Sequence, residues 1–181
     1  NVTIVDKSID RLRYLDQVLH GRCHTLASTK HNLAEVISRA DVVVGGVLLP
    51  GARAPKLVSR EMISAMKSGA VVVDVAIDQG GCFETSRPTS HSDPVYAVDG
   101  VTHYCVTNMP GAVARTSTLA LSNVTLPYGL ALADKGLAEA ARAFPELAKG
   151  INVLNGVVTY KAVADAFGLN FQPWDAVLAA A

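Results

Sequence analysis

The sequence predicts an α/β chain with a mostly parallel sheet and helices on both of its faces. Three observations carry this. Short β-branched or apolar runs alternate with helical spacing through the first two thirds of the chain. The purest run, Val71-Val72-Val73-Asp74-Val75-Ala76-Ile77, has the composition of a buried strand and breaks onto Asp78-Gln79-Gly80-Gly81. The predicted strands also end on small, polar or glycine residues, which is what the floor of a ligand cleft requires.

In order, Val2-Thr3-Ile4-Val5 reads as a strand ending at Asp6, and Ile9, Leu12, Leu15, Val18 and Leu19 then fall at helical spacing. A short strand, Cys23 to Ala27, precedes a helix from about His31 to Arg39 with Leu33, Val36 and Ile37 on its apolar face. Asp41 to Gly45 is the next strand, and its exit, Gly46 to Pro55, is rich in Gly and Pro. Ser59 suits the N-cap of a helix over Glu61 to Lys67, carrying Met62, Ile63 and Met66, with Gly69 as its stop. The Val71 strand follows, then a long loop containing Pro88 and Pro94, then a last strand ending at Val106. The character changes at Met109-Pro110-Gly111. From Ala114 to Leu147 the chain is Ala- and Leu-rich, broken by Pro127 and Gly136, and predicts two or three helices. The tail holds an Asn155-Gly156 turn and a short helix, Tyr160 to Phe167.

Composition narrows the class. Half of the 181 residues are hydrophobic and 16 basic residues balance 16 acidic ones, so a sizeable core is expected. A neutral chain without a basic run lacks the electrostatic footprint of a nucleic-acid or anionic-membrane binder. The apolar stretch around Val42 to Leu49 is too short to span a bilayer. Cys23, Cys82 and Cys105 share no metal-type spacing and read as buried free thiols, which suits a cytoplasmic location. His20, His24, His31, His91 and His103 likewise match no metal motif, so no metal is expected.

The strand exits carry the chemistry. In a parallel sheet Asp6, Ser28, Gly45-Gly46-Val47-Leu48, Asp78 and Thr107-Asn108-Met109 fall on one rim. Each has a plainer reading: Asp6 as a helix cap, although Ser8 or Asp10 serves equally, Gly45-Gly46 as a tight exit, Asn108 as a turn residue before Pro110. Placed on the rim, Asp6 accepts hydrogen bonds from both hydroxyls of an adenosine ribose, and its charge repels a 2′-phosphate, favouring NAD over NADP. Arg11, one turn on, either reaches the adenosine or is simply solvated.

An acidic residue in that place normally follows a Gly-x-Gly-x-x-Gly turn by about 20 residues. No such turn occurs here. The expected fold is therefore a Rossmann-type doubly wound sheet lacking its first strand, followed by a helical segment of a second domain, in a chain that reads as the later part of a longer protein. Alone, it is expected to be inactive and to expose two strand edges.

Several motifs, in order, resemble the alanine dehydrogenases, in the family shared with the NAD-binding component of proton-translocating transhydrogenase. They are Pro50-Gly51-Ala52-Arg53-Ala54-Pro55-Lys56-Leu57-Val58, Met66-Lys67-Ser68-Gly69-Ala70-Val71, Asp74 to Glu84, and Asn108-Met109-Pro110. Ile77-Asp78-Gln79-Gly80-Gly81 looks like alanine dehydrogenase. The transhydrogenase components share the Pro-Gly-x-x-Ala-Pro-Lys loop and the glycine pair but usually lack the aspartate. D-2-hydroxyacid dehydrogenases place an arginine soon after the strand, and none stands before Arg87.

The resemblance implies reversible NAD-dependent oxidative deamination of L-alanine to pyruvate and ammonia, with Asp78 catalytic. It implies cofactor contacts at Asp6, Arg11, Ser28, Val47, Leu48, Val75, Asp78, Arg87, Val106, Asn108 and Met109. It implies domains over residues 1–114 (NAD-binding, incomplete at its start) and 115–181 (interdomain helix and part of the substrate domain). The partners implied are the N-terminal half of the same protein and further copies in a homo-oligomer, a hexamer by resemblance. The family's histidine acid/base and its substrate-carboxylate arginine and lysine would lie upstream. Rival readings are the transhydrogenase component and an inert nucleotide-binding module.

Overall fold

The computed structural model describes residues 1–180. The chain divides into two compact units: Asn1–Leu48 with Arg53–Asn108, and Leu49–Ala52 with the chain from Met109 onward.

In the first unit, β1 (Thr3–Asp6), α1 (Ile9–Val18), β2 (His24–Ala27), α2 (Lys30–Arg39) and β3 (Val42–Gly45) alternate as their patterns predict. α3 (Arg60–Ser64), β4 (Val71–Asp74), β5 (Val95–Val98) and β6 (Val101–Tyr104) complete it. Ser8, Thr29 and Ser59 cap the three helices, each accepting from the amide three residues on. β1 pairs in parallel with β2, Asp6 opposite Ala27. β3, β4 and β6 form a parallel ladder with Gly45 opposite Asp74, and β5 adds antiparallel to β6.

The two sheets, β2-β1 and β3-β4-β6-β5, are α/β and doubly wound. Among the described residues no strand bonds the free edges of β1 and β3, where the doubly wound order seats its first strand. The core lies on one face of the larger sheet. Val72, Val101, Ile63 and Phe83 are fully buried there with Ile37, Met62 and Met66. On the opposite face Val42 and Val44 are 57% and 64% exposed.

Four details depart from the sequence reading. β4 stops at Asp74 instead of running to Ile77, because the Asp74 carboxylate accepts the Ala76 amide and bends the chain into a 3-10 turn, Val75–Gln79. The region read as a loop after Pro88 contains β5. The last parallel strand ends at Tyr104, and Cys105 to Thr107 continue as single bonds with Thr89. α3 has five residues where Glu61 to Lys67 was expected, though Met66 still reaches the core.

The second unit contains a 3-10 turn (Met109–Val113), α4 (Ala114–Ala143), α5 (Pro145–Ala148), a β7–β8 hairpin (Val153–Leu154, Val157–Val158), α6 (Lys161–Phe167) and α7 (Trp174–Ala179). Its first turn, Met109–Val113, precedes the boundary expected at residue 114. α4 passes through Pro127 and breaks only at Gly136, whose φ of 71° and ψ of 170° are open to glycine. Its small residues Ala131, Ala140 and Ala141 are buried, and Tyr128 packs edge-on to Phe144 at 5.9 Å. Asn155-Gly156 makes the hairpin turn with both φ positive, as predicted. Leu49–Ala52 belongs here because Pro50 O accepts the Tyr160 hydroxyl at 3.3 Å, and a Cβ on Gly51 would lie 2.2 Å from the Tyr160 ring.

Candidate functional site

The rim is built from strand ends and the turns that follow them. At the end of β1, Asp6 does not cap α1, since Ser8 does. Asp6 Oδ1 instead accepts the Ser8 amide at 2.7 Å, which fixes the carboxylate while Oδ2 has no partner among the described residues. The Asp6 carbonyl accepts the Ser28 amide at 2.9 Å, joining the first two exits. Ser28 also lines a cleft of about 330 Å³ with Lys30, Leu33, Lys56, Leu57, Ser59, Met62 and Glu84, the one predicted site residue to do so. Arg11 is exposed, its guanidinium 4.9 Å from the Tyr14 ring centre, the geometry of a solvated helix arginine.

At the end of β3, the two glycines do different things. A Cβ on Gly45 would lie 2.3 Å from Cys82 Sγ and 2.6 Å from the Phe83 ring, whereas one on Gly46 meets nothing within 4 Å. Gly45 is thus required by packing, and Gly46 leaves open space at the exit. Val47 packs against the core and Leu48 is 68% exposed.

After β4, the turn Val75–Gln79 places Val75 and Asp78 at the surface while Ala76 and Ile77 are buried. Both Asp78 oxygens receive the Asn108 amide, at 3.3 and 3.4 Å. Asn108 holds a left-handed φ of 53°, and its carbonyl accepts from His91 Nε2 at 3.0 Å. Asn108 is therefore the turn residue of the plainer reading and also a fixed N–H beside Asp78. Val106 is fully buried, so its side chain belongs to the core and only its backbone borders the exit. Arg87 is exposed, with its guanidinium 4.0 Å over the Tyr96 ring. Met109, half-buried, opens the second unit. Among the described residues no cluster of metal-ligating side chains occurs.

The site's support comes from residues to which sequence reasoning gave no role. Asp74 is completely buried, accepting from the amides of Ala76, Cys82 and Phe83 and from the Ser86 hydroxyl. Burial first, then the Asp74 carboxylate, push the Cys82 thiol up to about 12. Lys56 Nζ donates to the carbonyls of Gly80 and Phe83 at 2.6 and 3.0 Å. Ala54 N bonds Gln79 O at 2.9 Å and Leu57 N bonds Cys82 O at 2.8 Å. The Ala54–Val58 and Asp74–Glu84 motifs are thus one interlocked support for the Asp78 turn.

His103 gives this unit a pH dependence. It is buried, with Nδ1 3.0 Å from Val101 O and Nε2 2.7 Å from Thr85 Oγ1, and burial holds its pKa below the usual 6.5. The unfolded chain therefore binds that proton more readily, and folding stability falls as pH drops through about 6.5. Denaturant midpoints between about pH 7.5 and 5.5 should decline, and His103→Gln should flatten the slope. An unchanged slope in that variant would remove His103 as its source.

Parallel strands of two sheets with a carboxylate at the end of β1, an open glycine at the β3 exit and a second carboxylate after β4 have the features of a dinucleotide-binding α/β chain. Comparison with known proteins sharpens the class. The alanine dehydrogenase/PNT C-terminal domain family matches residues 1–161, and the chain belongs to that family. It is 59% identical over 170 residues to an alanine dehydrogenase of Halomonas elongata, covering 94% of this chain and 46% of that protein. It is 54% identical over 179 residues to the alanine dehydrogenase of Lysinibacillus sphaericus, covering 98% and 48%. A solved L-alanine dehydrogenase superposes with a TM-score of 0.80 at 46% identity, over 93% of this chain and 46% of that one. A transhydrogenase from Sinorhizobium meliloti reaches a TM-score of 0.55 at 33% identity, over 65% and 33%. The chain spans just under half the length of the curated relatives it matches.

Proposed function

We propose that this chain is the NAD-binding part, with a C-terminal piece of the substrate domain, of an NAD-dependent L-alanine dehydrogenase. The observation that carries the reading is Asp78, a carboxylate exposed on the turn after β4 and held by the Asn108 amide. In the proposed division, residues 1–114 hold the cofactor and 115–181 complete the second domain. NAD fits the residues present: Asp6 offers a free carboxylate oxygen for the ribose, and Gly46 leaves room for close approach at the β3 exit. The other proposed contacts are Arg11, Ser28, Val47, Leu48, Val75, Asp78, Arg87, Asn108, Met109 and the backbone at Val106.

When bound, the nicotinamide supplies the acceptor for the hydride leaving the substrate Cα. Asp78 holds the ammonia or water that adds to or leaves that carbon, and its charge favours the cationic iminium. The proposed partners are L-alanine or pyruvate with ammonia, the N-terminal half of the protein, and further copies in a cytoplasmic homo-oligomer. The proposed acid/base histidine and substrate-carboxylate cations are outside residues 1–181, so these alone are proposed to be inactive. Pyruvate- and ammonium-dependent NADH oxidation by the full-length protein tests the reading. Hydride exchange with NADP in its place would point to the transhydrogenase component.

Asp6→Ala is expected to weaken NADH binding roughly tenfold or more, the usual scale for a lost charged hydrogen bond, and to narrow the preference over NADPH. Lys7 beside it tempers the wild-type preference. Equal wild-type affinities for NADH and NADPH would remove Asp6 from the ribose position.

A further inference from the structure

We propose that Asp74 is a positioning residue for Asp78, setting where that carboxylate stands by holding both ends of the loop that carries it. The proposal rests on the reading of Asp78 given above. A carboxylate at the end of a strand, fully withdrawn from solvent, is costly unless its oxygens are satisfied. Here Oδ1 accepts the Ala76 amide at 3.1 Å, two residues before Asp78. Oδ2 accepts the Cys82 amide at 2.9 Å, the Phe83 amide at 3.4 Å and the Ser86 hydroxyl. One side chain thus ties the start of the turn to its return, with Asp78, Gln79 and the two glycines as the arc between. Gly81 fits this arrangement, since a Cβ there would lie 2.5 Å from Asp74 Oδ2 and its φ is +74°. Asp74 has no exposed surface, so it acts on the reaction only through the loop.

The donors facing Asp74 are three N–H groups, the Cys82 thiol and the Ser86 hydroxyl, so an amide side chain cannot replace it. Asp74→Asn turns its NH2 toward N–H donors on one side or the other, loosening one end of the arc. In the full-length enzyme we expect turnover to fall by about 10²-fold, the scale of a misplacement of roughly 1 Å. The NADH dissociation constant should change little, because Asp6 is on the other sheet. Amide exchange across Ala76–Ser86 and at Asn108 should quicken. Combined with Asp78→Asn, the second substitution should add almost nothing to the turnover loss, because both act through one group. Ser86→Ala, which removes a single donor and leaves the fold intact, should lower turnover several-fold with the same exchange signature; it decides the matter if Asp74→Asn does not fold. Normal turnover in Ser86→Ala, or turnover losses in the double variant that simply multiply, would overturn the positioning role. Normal turnover in Asp78→Asn alone would instead overturn the reading beneath it.

Discussion

Asp78→Asn in the full-length protein is expected to cut turnover by roughly 10²–10³-fold, the usual loss when one positioned electrostatic group is removed. Asparagine keeps the shape of the side chain and can still accept the Asn108 amide through its remaining oxygen, now at 3.3 to 3.4 Å from both. The turn itself should survive, because Asp74, Lys56 and the Ala54–Gln79 bond hold it independently of Asp78. What disappears is the negative charge beside the developing iminium. NADH affinity should therefore move far less than turnover. Measuring kcat and the NADH dissociation constant on one preparation separates the two. Near-normal turnover would reduce Asp78 to an acceptor for the Asn108 amide and reopen the transhydrogenase reading.

The second large effect is on stability and sets two adjacent glycines against each other. Gly45→Ala places a methyl 2.3 Å from Cys82 Sγ and 2.6 Å from the Phe83 ring, both buried and both fixed by backbone bonds to neighbouring segments. Overpacking of this kind costs about 1–3 kcal/mol, and the immobility of both neighbours argues for the upper end. Gly46→Ala meets no atom within 4 Å and should change stability by no more than roughly 0.5 kcal/mol. If the β3 exit is the cleft floor, Gly46→Ala should still weaken NADH binding while Gly45→Ala unfolds at lower denaturant. Equal denaturant midpoints for the two variants would contradict the packing at Gly45.

Much of this was legible in the residues because alternating patterns and caps act locally. Ser59 as a cap, Asn155-Gly156 as a turn and the alternation of strands with helices follow from spacing and residue type alone. The β5–β6 hairpin was overlooked although Asp99-Gly100, both at positive φ, is a two-residue hairpin turn between apolar segments. Pro94 drew the reading toward a loop, yet it stands just before the strand, where its missing N–H costs nothing. Asp74 was hidden for a different reason. Within a β-branched run it resembles an interruption, and its partners Cys82, Phe83 and Ser86 are brought to it only by the return of the loop. Spacing leaves Gly45-Gly46 open between a cleft rim and a tight strand exit, whereas tertiary packing against Cys82 and Phe83 demands glycine at Gly45.

The burial of all three cysteines also makes the chain its own conformational probe. Cys23 precedes β2 of the β1–β2 pair, Cys82 lies in the loop after β4, Cys105 directly follows β6, and none is more than 9% exposed. With its thiol pushed up to about 12, Cys82 is a poor nucleophile at neutral pH as long as the native loop is closed. A maleimide or disulfide reagent therefore reaches these buried sulfurs only when a segment opens. Modification at Cys23 clocks the detachment of the β1–β2 pair, modification at Cys82 clocks the opening of the loop that bears Asp78, and modification at Cys105 clocks the opening beyond β6. Without any introduced label, the order in which the three sulfurs react ranks the stability of the two halves of the rim.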